Sequence, residues 1–124
     1  MSKPFVVLLM VFFHIVDDYY LQGILASMKQ RSWWKENAPD KLYRNDYLIA
    51  LAMHSFSWTF MVMLPVAAHM SFTPSTMFYT IFVANAAIHS YVDNLKANRH
   101  RINLITDQTS HIVQILFTAA LLLK

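Results

Sequence analysis

Three pairs of ionisable residues stand four apart within long apolar stretches: His14 with Asp18, His89 with Asp93, and Asp107 with His111. A further apolar stretch carries a lone His54. A spacing of four puts both members of a pair on one face of an α-helix, one turn apart. Inserting an ionisable group into lipid costs at least ~2.5 kcal/mol, so such groups face a protein interior. The pattern constrains the chain to helices packed with polar stripes inward, around a site suited to a metal.

The apolar residues are blocked rather than spread. The chain is 56% hydrophobic and 14% charged, against about 25% charged in soluble domains. Four spans emerge, each near the ~20 residues that cross a hydrocarbon core. They run from Pro4 to Met28, Asp46 to Ala68, Pro74 to Leu95 and Asn103 to Lys124. Pro74 suits a first helical turn with Thr73 as its cap, and Pro65 should kink or shorten the second span. At 124 residues the expectation is one domain over residues 1–124, all-α, folded as an integral membrane four-helix bundle. Two rivals are weaker. A cleaved signal peptide lacks a small-residue cleavage site after Phe13, and two aspartates follow instead. A soluble bundle is suggested only by Asp17, Asp18 and Gln22 in the first span.

Orientation follows from basic residues in the connections. Lys29, Arg31, Lys35, Lys41 and Arg44 lie in the first, and Lys96, Arg99 and Arg101 in the third. The opposite side has only Lys3 and Lys124. This asymmetry puts both basic loops in the cytoplasm and both termini on the non-cytoplasmic side. Trp33 and Trp34 then fall at the cytoplasmic interface, as anchors. The net charge of +3 flanks apolar segments and forms no patch, so nucleic acid is not an expected partner; membrane lipids are.

Depth tests whether the polar residues can meet. At ~1.5 Å of rise per residue, Asp18 lies ~14 Å from the cytoplasmic end of its span, His14 ~20 Å and His54 ~12 Å. On the same scale His89 lies at ~9 Å, Asp93 at ~3 Å, Asp107 at ~6 Å and His111 at ~12 Å. All seven fall toward one side, although the helices alternate in direction. Stripes agree with this: Asn85, His89, Asp93 and Lys96; Asn103, Asp107, His111 and Thr118; His14, Asp18 and Gln22. Asp17 points ~100° from Asp18 and reads as a rim or capping residue. His69 and His100 sit at span ends and read as solvated.

Charge indicates what fills the site. Asp18, Asp93 and Asp107 bring three negatives and Lys96 returns one, a surplus that calls for protons or a cation. With no cysteine, ligands must be imidazole and oxygen. Four imidazoles favour a divalent transition metal, zinc first and then manganese or iron, as one or two ions. The expected metal ligands are His14, Asp18, His89, Asp93, Asp107 and His111. His54 is expected as a ligand or general base, beside a competing reading as an interhelical hydrogen-bond partner. Lys96 is expected to steady an oxyanion or phosphate, while Gln22, Asn85 and Gln108 would orient ligands.

The segment His14-Ile-Val-Asp-Asp18-Tyr-Tyr-Leu-Gln22 resembles the H-x-x-x-D-[FY]-x-L-Q opening of a small bacterial and phage membrane-protein family of unknown function. That family continues with a histidine in its second span, an H-x-x-x-D…K element and a D-Q-x-x-H element. Here these correspond to His54, to His89 and Asp93 with Lys96, and to Asp107-Gln-Thr-Ser-His111. The pattern is also similar to membrane-bound metal-dependent hydrolases with His/Asp clusters. Asp17 and the tryptophan-containing first loop stand outside it. The resemblance implies a multi-pass protein of the bacterial cytoplasmic (inner) membrane.

Three functions are open at this point. The first is metal-dependent hydrolysis, in which a bound ion activates water against a phosphoester or acyl bond of a lipid or membrane-proximal substrate. His54 would be ligand or base and Lys96 would hold the developing charge. The second is an ion or proton path, opposed by the apolar runs Phe5 to Phe13, Val62 to Val66 and Leu116 to Leu123. The third is a small membrane effector that binds a host membrane protein and carries a structural metal.

Overall fold

Pro4 lies in the first turn of α1 (Lys3–Val16), where its missing N–H would have had no helical partner. The computed structural model describes residues 1–124 and has helices but no strand. After α1 the chain widens into a π-helical turn over Asp17–Leu21, then reverses at Gly23, whose φ of +54 is left-handed. Two short helices follow, α2 (Leu25–Met28) and α3 (Arg31–Asn37), and a 3-10 turn over Lys41–Tyr43. The first expected span is therefore not one helix to Met28. It breaks where Asp17, Asp18 and Gly23 interrupt the apolar run.

The other three apolar stretches form helices with bounds close to those expected, α4 (Tyr47–His69), α5 (Thr76–Ala97) and α6 (Leu104–Leu122). Helix α4 continues through Pro65, two turns beyond the buried Trp58. The cap of α5 is Ser75, whose Oγ accepts from the N–H of Phe78 at 3.3 Å, rather than Thr73. Thr73 Oγ1 instead donates to the Met70 carbonyl oxygen. Asn103 caps α6 by accepting from the N–H of Thr106 at 2.9 Å, and it is exposed. It thus leaves the inward stripe expected of it and satisfies an orphan donor.

The bundle interior has two layers. Near both chain termini lies an apolar core of Val6, Met10, Val62, Met63, Ile115 and Leu122 with their neighbours. Toward the connections that follow α1 and α5 lie His14, Asp17, His54, His89, Asp93, Asp107 and His111, all buried. Thirteen of the 27 buried residues are polar or charged, whereas Leu8, Phe12, Phe60, Val83 and Phe117 point outward and are at least half exposed. A soluble bundle has the reverse distribution. Two stretches, Lys3–Leu21 and Lys41–His69, are long and apolar enough to cross a membrane, with mean hydropathy 1.6 and 1.5. Helices α5 and α6, at 22 and 19 residues, match that length, but their inward polar stripes lower their hydropathy.

Candidate metal centre

Each of the four long segments contributes to the polar layer. The last turn of α1 supplies His14, and the π-helical turn supplies Asp17 and Asp18. Adjacent residues on a regular α-helix diverge by ~100°, which is the reason Asp17 was expected at the rim. In the structure Asp17 is 1% exposed, and Ser57 Oγ of α4 donates to its Oδ1 at 2.6 Å. The wider turn thus turns both carboxylates inward, a use of π geometry found at functional sites.

His54 on α4 stands among the carboxylates. Its Nε2 lies 3.4 Å from Asp18 Oδ1 and 3.6 Å from Asp93 Oδ2, and its Nδ1 lies 3.7 Å from Asp17 Oδ2. The His89 ring follows, with its centroid 5.0 Å from that of His54. His89 stacks on His111 at 4.2 Å and on Trp58 at 4.3 Å. His111 Nε2 lies 3.3 Å from Asp107 Oδ1. Gln108 bridges the carboxylates, its Nε2 donating to Asp107 Oδ2 at 3.0 Å and to Asp18 Oδ2 at 3.2 Å.

One group within this layer has the dimensions of a metal site: ligand atoms of Asp18, His54 and His89 lie within 4.8 Å of one another. Several of the polar atoms in this layer form no aligned hydrogen bond. Both ring nitrogens of His89 are buried without any polar partner in the protein, while His54 Nε2 and Asp18 Oδ1, and likewise His111 Nε2 and Asp107 Oδ1, face one another at 3.4 and 3.3 Å without forming an aligned hydrogen bond. Buried polar atoms are nearly always paired, and each one left alone costs ~1–3 kcal/mol. Concentrated on imidazole nitrogens and carboxylate oxygens, that cost marks a donor set suited to a divalent ion.

The charges agree. Lys29 Nζ donates to Asp93 Oδ2 at 2.9 Å, and Lys96 Nζ lies 3.6 Å from Asp107 Oδ2. Four carboxylates, those of Asp17, Asp18, Asp93 and Asp107, stand against these two ammonium groups, leaving two surplus negatives. One divalent cation carries the opposite charge. Asp17 and Lys29 enter the balance together, so the surplus expected from the sequence is retained while its members change.

Several expected roles change in the structure. His14 is in the layer, but both its nitrogens are engaged: Trp58 Nε1 donates to Nδ1 at 2.7 Å, and Nε2 meets Gln108 Oε1 at 2.9 Å. This arrangement assigns Nε2 the proton and leaves no free lone pair, so His14 holds Trp58 and Gln108 in place rather than acting as a ligand. Asp93 is occupied by Lys29 and stands beside the tight group. Asp107 and His111 form their own pair next to it. His54, open between three roles, belongs to the tight group, with Asp17 Oδ2 3.7 Å from its Nδ1, beyond hydrogen-bond reach. Lys96, with 37% of its side chain exposed, sits at a narrow polar opening of about 50 Å³ shared with Asp18, Gln22, Lys29 and Asp107.

Sequence reasoning passed over Trp58, Ser57 and Lys29. Trp58 is apolar and gives no polarity contrast within α4, although its position one turn from His54 was a usable signal. Lys29 was counted with the basic loop. The reversal at Gly23 and the bond from Asn98 Nδ2 to the Lys29 carbonyl oxygen fold it back over Asp93. No family model, curated protein or solved structure matches this chain.

Proposed function

We propose that this chain is a four-span integral protein of the bacterial cytoplasmic membrane, with both termini outside, and that its polar layer is the site of a metal-dependent hydrolase. Its substrate would be a lipid or membrane-proximal molecule with a phosphoester or acyl bond, in keeping with the family that the motifs resemble. The observation that carries this reading is the trio of half-buried Asp18 and buried His54 and His89, whose ligand atoms converge from three helical segments. Exposed aromatic and aliphatic side chains around the outside support a lipid environment. A divalent ion bound there supplies Lewis acidity and an activated water.

The chain's own residues would do the remainder. Asp17 adds negative charge beside His54, Gln108 bridges Asp18 and Asp107, and Lys29 and Lys96 line the opening where a leaving phosphate or carboxylate gathers charge. The apolar core beyond the trio closes the other half of the bundle, which opposes an ion path. Zinc, manganese and iron all suit an imidazole and carboxylate set. The test is elemental analysis of the detergent-purified protein, with release of phosphate and of fatty acid followed from phospholipid micelles. About one equivalent of transition metal and metal-dependent release support the reading. A metal-free protein refutes it.

A second reading is favoured by the narrowness of the opening, about 50 Å³. In it the metal is structural and the protein is a small effector that binds a host membrane protein. Metal without turnover, together with a host complex that survives chelation, identifies that case.

A further inference from the structure

On a different face of α6 from the polar opening, α5 and α6 part to form a groove of about 760 Å³. Its walls include Ile88, Ile105, Val113 and Phe117, all of which are exposed. Apolar walls stand over a floor that includes the buried polar residues Asn85, Gln114 and Thr118. Thr106, Thr109 and Ser110 line the end next to the α5–α6 connection, while Ile81, Phe117 and Leu121 line the far end. That connection runs Lys96-Ala-Asn-Arg99-His100-Arg101-Ile-Asn103 and contains no acidic residue. Lys96 is drawn toward Asp107, whereas Arg99, His100 and Arg101 are exposed.

Resting on the membrane-spanning reading above, we infer that this groove binds one acyl chain of an anionic phospholipid, with its phosphate at Arg99 and Arg101. The match is between exposed cations at one end of α6 and exposed apolar walls along the groove beside it. Cations at the membrane surface attract an anionic headgroup. Hydroxyls one to two turns further along meet the glycerol and ester level, and an apolar trough takes the chain. From Ile105 to Leu121 the trough runs ~24 Å, longer than half of a ~30 Å hydrocarbon core, so a chain entering from the basic end lies along it. The lipid is distinct from any molecule at the metal. The floor nevertheless reaches that layer, because Gln114 Nε2 donates to the Asn85 backbone oxygen and Gln114 Oε1 meets His111 Nδ1 at 3.1 Å.

The test uses the full chain in lipid nanodiscs with phosphatidylglycerol or phosphatidylcholine carrying a photoactivatable group in the acyl chain, and maps the adducts by mass spectrometry. Adducts should concentrate on the groove faces of α5 and α6, with phosphatidylglycerol favoured about fivefold or more. Combining Arg99→Glu with Arg101→Glu should bring the two lipids to parity. Thr109→Trp, at an exposed position, should remove the adducts without changing charge, and metal content should stay the same in both variants. Equal labelling by the two lipids in the unaltered protein overturns the inference. So do adducts spread evenly over α1 and α4, or cross-links joining the α5–α6 faces of two copies. A protein that stays dispersed without detergent and takes no lipid adduct on any helix refutes the membrane reading itself.

Discussion

Asp18, His54 and His89 are each positioned by a different element, so each can be removed without deleting a helix. Asp18→Ala or His89→Ala should abolish most metal binding by elemental analysis. His69→Ala and His100→Ala should leave it unchanged, since neither is in the polar layer. His14→Ala separates structure from ligation: it should keep most of the metal while costing ~1–3 kcal/mol in denaturant unfolding, because Trp58 Nε1 and Gln108 Oε1 lose their partner. Trp58 also provides a direct probe. In a Trp33→Phe, Trp34→Phe background, cobalt should quench its fluorescence strongly, because its ring stacks 4.3 Å from His89. Undiminished Trp58 emission with cobalt bound would place the ion elsewhere.

At the level of elements, the π-helical turn distinguishes this bundle from four regular helices. Its effect is rotational, since it lets consecutive aspartates share one interior. Deleting Tyr20, which is 77% exposed, lets the turn close toward α geometry and drives Asp17 and Asp18 apart. The expected result is loss of metal with the far-ultraviolet circular dichroism of a helical protein retained. Gly23, the chain's one glycine, ends the same segment at φ +54. A Cβ there would meet nothing closer than the Leu21 carbonyl oxygen at 3.9 Å. Gly23→Ala should therefore cost only the left-handed backbone term, ~1–2 kcal/mol, in the unfolding midpoint. A much larger loss would mean that the reversal carries packing as well as conformation.

Across the whole molecule, the proposed topology makes the sharpest claim. A cysteine at Asn37 should be labelled only from the cytoplasm, and tags on both termini should be reached from outside. The reverse pattern would move the polar layer to the other leaflet. The division into an apolar half and a polar half also predicts where metal-linked stability resides. A metal that binds only the folded bundle, supplied at a hundredfold excess over its Kd, should raise unfolding free energy by ~2.7 kcal/mol. That increment should vanish in His89→Ala. A stabilisation that persists in the variant would assign the ion to another place.

Much of this was legible in the chain, for a definite reason. Blocks of apolar residues fix helices by length, and polar residues repeating every four along them fix which face turns inward, so the extents of α4, α5 and α6 and the inward residues His14, His54, His89, Asp93, Asp107 and His111 could be read by counting. What counting could not reach depended on neighbours far away in sequence. Asp17 lay on the wrong side of an ideal helical wheel, yet in the π-helical turn it is buried and accepts a hydrogen bond from Ser57 of α4. Lys29 belonged to a loop until Gly23 and Asn98 folded it over Asp93. His14 had the spacing of a ligand, yet Trp58 and Gln108 use both its nitrogens. Periodicity assigns a residue to a face of its own helix, whereas ligation depends on whether its lone pairs are already taken by residues of other helices, and only tertiary packing decides that.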